Sequence, residues 1–375
     1  SLAYGPVPAI FGDERVMGYI TRLAEEKLTW ERAVSSNVGL ELGFFDNSLL
    51  LTADWFLRRN NDLLAPLAPL PSSGQTIVLN DGELPYFNTA SVENKGLELS
   101  GEYRKTWGDF SLNVLANISF LKNKVLALGD GIQPIRGKEF SNKFNDRATI
   151  TKPGLPIGSF WGYVVEGIDG KGDFIFQDNN GLDATGNLTG KPDGKVDEND
   201  KTVIGSPHPD FTYGINLSLA WKGWDLTAFF QGSHGNEIFC GAKYFYYFDY
   251  STNCLADALN SWTPDNTGTT LPIAKTDNRN GGNSLPSTFY IEDGSYFRCK
   301  NLQIGYTFDS LLKNSFFKNV RIYAGVQNLF TVTRYPLYDP EVSADTLFDR
   351  GVDGQYLDAP TVNARVYTFG FNLTF

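Results

Sequence analysis

The residues able to do proton or metal chemistry are few and poorly grouped. Among 375 residues there are two histidines and three cysteines. His208 sits in "SPHPD" and His234 in "GSHGN". No Ser or Cys elbow and no paired carboxylate motif accompanies either, so each reads as a hydrogen-bonding residue at a strand–loop junction. No phosphate-binding loop or GxGxxG is present. Cys240, Cys254 and Cys299 lack CxxC or zinc spacing. Cys240 and Cys254 are open to pairing in an oxidising compartment, or all three are unrelated thiols.

One stretch concentrates hard oxygens. "QDNNGLDATGNLTGKPDGKVDENDKTVIG" places Asp178, Asn180, Asp183, Asp193, Asp197, Asn199 and Asp200 on a Gly-rich segment. Closely spaced carboxylates repel unless water or a cation intervenes, and Ca²⁺ takes six to eight oxygens. "DGKVDENDK" resembles a calcium loop without the terminal bidentate Glu. The candidate ligands are Asp193, Asp197 and Asp200 with Asp178 or Asn180. The other reading is a solvated acidic loop held by Asx turns. A second constellation is "YFYYFDY" at 244–250, with Trp262 in "SWTPDN". Tyr246, Tyr247, Phe248 and Trp262 offer a partner interface, a packed cluster or a ligand contact.

The elements that carry these residues are strands. "RVYTFGFNLTF" closes the chain, with Tyr367, Phe369, Phe371, Leu373 and Phe375 on one face and Thr368, Gly370, Asn372 and Thr374 on the other. The same alternation runs through "NVGLELGFF", "SLLLTADWFL", "NKGLELSGEYRKTW", "FSLNVLANISFL", "DFTYGINLSLAW", "WDLTAFFQG", "SYFRCKNLQIGYTF" and "VRIYAGVQNLF". A weaker pair is "FNDRATIT" with "IGSFWGYVVEGI". Helical periodicity is confined to Val16–Lys27. This gives about eleven strands. Short turns near 46–47, 107–109, 222–223 and 309–318 alternate with long polar segments at 59–90, 122–144, 168–209, 235–294 and 332–363. That asymmetry is the pattern of outer-membrane barrels, and soluble sandwiches rarely carry so many long loops.

Composition agrees with this picture. Aromatics reach 14% and the net charge is −11, which argues against a nucleic-acid partner. No apolar run approaches the ~18 residues of a membrane helix, but a membrane strand needs only about 10 and is apolar at alternate positions. The competing fold is a soluble, secreted, calcium-stabilised β-rich carbohydrate-binding module. There the apolar faces would meet a second sheet.

Several segments resemble the SusC/RagA-like TonB-dependent transporters of Bacteroidetes outer membranes. They are "KLTWERAVSSNVGLELGFFDNSLLLTADWFLRRNNDLL", "NTASVENKGLELSGEYRK", "LPIGSFWGYVVEGI", "DGKVDENDKTVIGSPHPDFTYGINLSLAWKGWDLTAFFQGSHGNEIF", "SWTPDN", "IEDGSYFRCKNLQIGYTF", "VRIYAGVQNLFTVTRYPLYDPE" and the final Phe. They follow the family's order over nearly the whole chain. The resemblance implies an all-β, antiparallel transmembrane β-barrel, with residues 1–375 forming about its C-terminal half, roughly 11 of about 22 strands. The plug and N-terminal domains would lie outside this chain, and TonB would be engaged only through that missing part. The resemblance also implies no enzymatic activity, no required cofactor, import of oligosaccharides or peptides, a SusD-like surface lipoprotein as partner, contact with outer-membrane lipid, and Phe375 as a barrel-assembly signal.

Overall fold

The computed structural model describes residues 4–11, 14–20, 28–66, 86–129, 132–137, 139–141, 146–248, 253–275, 282–308, 319–342, 346–353 and 363–374. Nine strands form one antiparallel wall: β1 (Arg32–Phe44), β2 (Leu49–Pro66), β3 (Tyr86–Trp107), β4 (Phe110–Leu128), β5 (Phe211–Trp221), β6 (Trp224–His234), β7 (Tyr296–Thr307), β8 (Asn319–Thr333) and β9 (Val366–Thr374). Every strand pairs with its neighbours in sequence, from β1 at one end to β9 at the other. The sheet is an open part of a barrel. Tight turns join alternate strands. Phe45, Asp46 and Asn47 all take positive φ between β1 and β2, as do Lys222 and Gly223 between β5 and β6. Such turns match the right-handed twist of the strands they connect.

Register sorts the side chains into two faces. Trp107 pairs with Phe110, Phe110 with Trp221, Trp221 with Trp224, Trp224 with Tyr306, Tyr306 with Ile322, and Ile322 with Phe371. This row runs along the short-turn end on the outer face. Seven residues further from the turns, on the inner face, one row reads Ser100, Asn117, Gly214, Gln231, Arg298 and Thr331. No second sheet covers the outer face among the described residues. Leu40 is 57% exposed, Trp55 43% and Phe369 80%. A soluble sandwich would bury such residues, so the soluble-module reading fails on this geometry.

The apolar band has a sharp upper limit. On β4 it runs from Phe110 to Phe120, and Lys122 and Lys124 follow on the same face. On β3 the paired residues are Leu97, then Lys95 and Glu93. At about 3.4 Å per residue the band spans about 34 Å of strand, and a tilt of about 45° reduces this to about 24 Å, the height of an outer-membrane hydrocarbon band. Above the limit the polarity inverts. Ala90, Val92 and Val125 are buried on the inner face, packed with Ile157. The strands β2 to β4 therefore run on past the membrane into segments that the sequence reads as loops.

The buried aromatic core sits in the long connections, where water rather than lipid is the solvent. Phe160, Phe174, Phe239, Tyr244, Phe248 and Tyr290 form its centre. A four-stranded sheet contributes from one side, in the order Thr202–Gly205, Ser159–Gly162, Thr149–Thr151 and Ile135–Arg136. The weaker strand pair expected in the wall lies largely in this small sheet. Val165–Ile168 instead pairs with Phe174–Phe176. A second small sheet joins Ile291–Asp293, Glu237–Cys240 and Val352–Asp353. At the start of the chain, Tyr4–Phe11 and Glu14–Ile20 form a hairpin, so the helical periodicity from Val16 is overruled at least to Ile20. Phe375 and the turn 309–318 lie outside the described residues.

Candidate functional site at the junction of wall and loops

The inner face becomes structured where β5 to β8 meet the long connections. Thr212, Ser233 and Tyr296 lie on one cross-strand row there. With Pro207, Asn236, Glu237, Glu341 and Arg350 they line a polar pocket of about 270 Å³. The larger concavity, about 880 Å³, is lined by Trp224, Ile304, Tyr306, Ile322, Phe369 and Phe371. Those residues belong to the outer row, so that groove faces hydrocarbon and has no part in a wet path.

Beneath the polar pocket lies a clamp. Arg298 on β7 is 1% exposed. Its Nε donates to Thr331 Oγ1 at 2.8 Å, its Nη2 to Asp339 Oδ1 at 2.6 Å and its Nη1 to Glu341. Glu341 also accepts from Lys300 at 3.0 Å, Tyr296 at 3.0 Å and Gln231. Asn363 donates to Asp339 at 2.8 Å. A register shift between Phe229 and Phe230 of β6, which pair with Asn301 and Cys299, leaves Lys300 as the extra residue of a bulge, from which it reaches the same carboxylate. Burial disfavours the charged form of Asp339, but the Arg298 guanidinium and the Glu341 amide outweigh it and hold its carboxyl below the usual range. Two cations meet two carboxylates with every geometry filled, so this unit fixes the segment "YDPE" against the wall and is not an open ligand site. Nearer the turn end, Arg321 and Asp225 form a bidentate pair across β8 and β6.

The acidic loop closes on itself. Asp200 is 1% exposed. Its Oδ1 accepts from the amides of Asn179 at 2.7 Å and Asn180 at 2.9 Å, and its Oδ2 from that of Asp197 at 2.7 Å. Burial opposes its charge, and these amides together outweigh burial, so the carboxyl is held below its ordinary value. Asp178 accepts from the amides of Asp193 and Gly194, Asp193 from Lys195, and Asp197 from Asn199. Asn180 Oδ1 accepts from Gly190 at 2.6 Å. These oxygens point at backbone N–H groups. Among the described residues, no three His, Cys, Asp or Glu side chains converge as a metal would require. The crowded acids are held here in Asx turns, with Asp178, Asn180, Asp193, Asp197 and Asp200 each accepting from backbone amides.

The aromatic constellation divides. Tyr244 and Phe248 are 2% and 4% exposed, and Trp262 is 8% exposed. Phe248 belongs to the aromatic core. Tyr246 and Tyr247 are half-buried on the short helix Ala242–Tyr247. The Tyr246 and Tyr338 hydroxyls share a hydrogen bond at 2.8 Å, and Tyr247 donates to Asp257 at 3.3 Å. Cys240 is buried, Cys254 exposed, and both are free thiols. His208 is a structural residue. Its Nε2 lies 2.8 Å from the Ile157 carbonyl, which can only accept, so Nε2 carries the proton. Burial lowers its pKa.

A family model described as "TonB dependent receptor-like, beta-barrel" matches residues 5–329. The chain is 33% identical to TonB-dependent receptor P3 of Formosa agariphila over 99% of its own length and 37% of that protein's. It is 26% identical to TonB-dependent receptor SusC of Bacteroides thetaiotaomicron over 97% of its own length and 34% of that protein's. The solved structure of the RagAB peptide transporter superposes with a TM-score of 0.78 at 26% identity, covering 100% of this chain and 38% of that one. The chain thus spans a little over a third of the length of these relatives.

Proposed function

Because the chain belongs to the TonB-dependent receptor-like β-barrel family, we propose that it is the C-terminal wall of an outer-membrane importer that takes up oligosaccharides or peptides. One observation carries this reading: along the nine-stranded wall the outer rows are apolar and the inner rows predominantly polar, and on β3 and β4 the apolar band ends at charged residues about one bilayer height above the turns. A wall of this kind separates lipid from a wet lumen. The clamp of Arg298, Asp339 and Glu341 holds a lumen-side segment in place, and the long connections form the mouth.

The rest of the machine lies beyond this wall. Nine strands leave β1 and β9 as sheet ends, and unpaired backbone is costly in hydrocarbon. Further strands and a plug, supplied by the remainder of the protein, complete the barrel, and TonB acts through that remainder. The mouth docks a SusD-like surface lipoprotein. Tyr246 and Tyr247 are the residues of the helix face through which it would touch, whereas Phe248 and Trp262 support that face from inside. The long connections face outward from the cell and the short turns face the periplasm. Phe375 serves assembly.

The test is uptake. Cells carrying the full-length gene should import fluorescent oligosaccharides or peptides in a TonB-dependent manner, and cells lacking it should not. TonB-independent accumulation would overturn the reading.

A further inference from the structure

The outer face changes character within one step of register above the apolar band. Leu97 on β3 and Phe120 on β4 form the last apolar row there. The Phe120 ring lies 5.7 Å from that of Phe211, and Phe211 lies 5.1 Å from the His234 imidazole. Aromatic rings gather at the edges of a hydrocarbon layer, so this line marks the upper interface. The next row on the same face reads Ser36, Leu57, Lys95 and Lys122, and the row after it Val34, Arg59, Glu93 and Lys124.

Four cations therefore stand beside one carboxylate, in a chain whose net charge is −11. That carboxylate is already engaged. Glu93 Oε2 accepts from Arg59 Nε at 2.8 Å, and Oε1 lies 3.9 Å from Lys95 Nζ. Lys122 and Lys124 make no hydrogen bond or ion pair among the described residues. Lys95 and Lys122 are paired directly opposite each other. Like charges in that position repel and weaken the sheet. Both side chains are exposed, on the face that meets lipid one row below. What lies against the wall at that height is a lipid headgroup, and the uncompensated cations select an anionic one. Stems rooted about 5 Å apart let two ammonium groups close on a single phosphate.

We propose that Lys95 and Lys122, supported by Lys124 and Arg59, bind the phosphate of a lipid headgroup in the leaflet at the long-connection end. The phosphate oxygens accept from both Nζ groups, which turns the repulsion between the opposed lysines into a shared contact. The lysine stems lie along the top of the apolar band, and the acyl chains of the same lipid run down over Leu97, Trp55 and Phe120. The site depends on the place of the wall in the membrane and not on what the barrel imports.

The experiment uses full-length protein purified in a neutral detergent. The probes are lipid A, a phosphorylated and acylated disaccharide, the same lipid stripped of phosphate, and inorganic phosphate alone. Wild-type protein should bind the phosphorylated lipid about tenfold more tightly than the stripped one, and the preference should shrink as salt rises. Lys95→Gln combined with Lys122→Gln should abolish the preference. Lys222→Gln, in the short turn at the opposite edge of the band, should keep it. The exposed lysines are not needed for folding, so the double variant should retain heat-modifiable mobility. Equal binding of the two lipids by wild type, or a preference that survives in the double variant, would overturn the proposal. Displacement of the lipid by an equimolar amount of inorganic phosphate would also overturn it, by making the cluster a site for soluble anions. Uptake is read separately: a protein that shows the lipid preference but fails the uptake test keeps this site and loses the import reading.

Discussion

At the scale of single residues, the decisive feature is that charged groups in the loops and lumen are spent on defined partners. Arg298 is the clearest case. Removing one member of a buried ion network typically costs about 3–5 kcal/mol, since the others keep their desolvation penalty without their partner. Arg298→Met should therefore lower the temperature at which the folded, fast-migrating form is lost on gels. Adding Glu341→Gln should recover part of that loss, because an uncompensated carboxylate disappears. Asp200 makes a different prediction, in pH. Its folded pKa lies below the ordinary value, so its contribution is present above the unfolded value of about 3.9 and is lost as pH falls through the folded one. Exchange protection of the Asn179 and Asn180 amides should exceed that in Asp200→Asn at pH 6, and the difference should vanish on acidification. EDTA should leave that protection unchanged, because backbone amides satisfy these oxygens. Neither feature was legible in the sequence. A carboxylate run looks alike whether cations or amides fill it, and Arg298 meets Asp339 and Glu341 only through the fold.

At the scale of elements, legibility followed the solvent. Tyr367, Phe369 and Phe371 alternate cleanly because each face of β9 sees one medium along its length. The upper parts of β2, β3 and β4 read as loops in the sequence because the medium changes. Beyond Leu97 and Phe120 the outer face turns to Lys95 and Lys122, while the inner face buries Val92 and Val125. The alternation inverts midway, and a pattern read from one face stops. The short strands around Ile150 and Phe160 alternate too, but over too few residues to distinguish a wall from a loop sheet. Close packing inside the wall can be tested at Gly96 on β3. An added Cβ would stand 2.4 Å from the Phe120 carbonyl oxygen and 2.7 Å from the Phe56 ring. The ring can turn, but the backbone oxygen cannot. Gly96→Val should destabilise by about 1–3 kcal/mol, and Phe56→Ala should not rescue it. Heat-modifiable mobility of the double variant is the measurement.

At the scale of the whole molecule, one topological arrangement explains why a chain of ordinary mean hydropathy exposes so many aromatic side chains. Nine strands linked in sequence order expose one continuous surface to lipid and another to water, and the aromatic core is displaced into the connections. The two surfaces differ by one residue in register, so adjacent positions on a single strand must respond oppositely to the same charge. Leu217 and Ser218 sit side by side near the middle of β5, the first paired with Val114 and Ala228 on the outer face, the second with Asn113 and Thr227 on the inner. Leu217→Arg places a guanidinium in hydrocarbon near the midplane, at a cost of about 2–4 kcal/mol. Ser218→Arg places the same group in the lumen, where water and neighbouring Asn and Thr groups solvate it, at little cost. Urea titration of the full-length protein folded into lipid vesicles should show a large loss of stability for the first and a small change for the second. Equal losses would mean that the two faces do not see different media, and the division into lipid and lumen surfaces would fall with them.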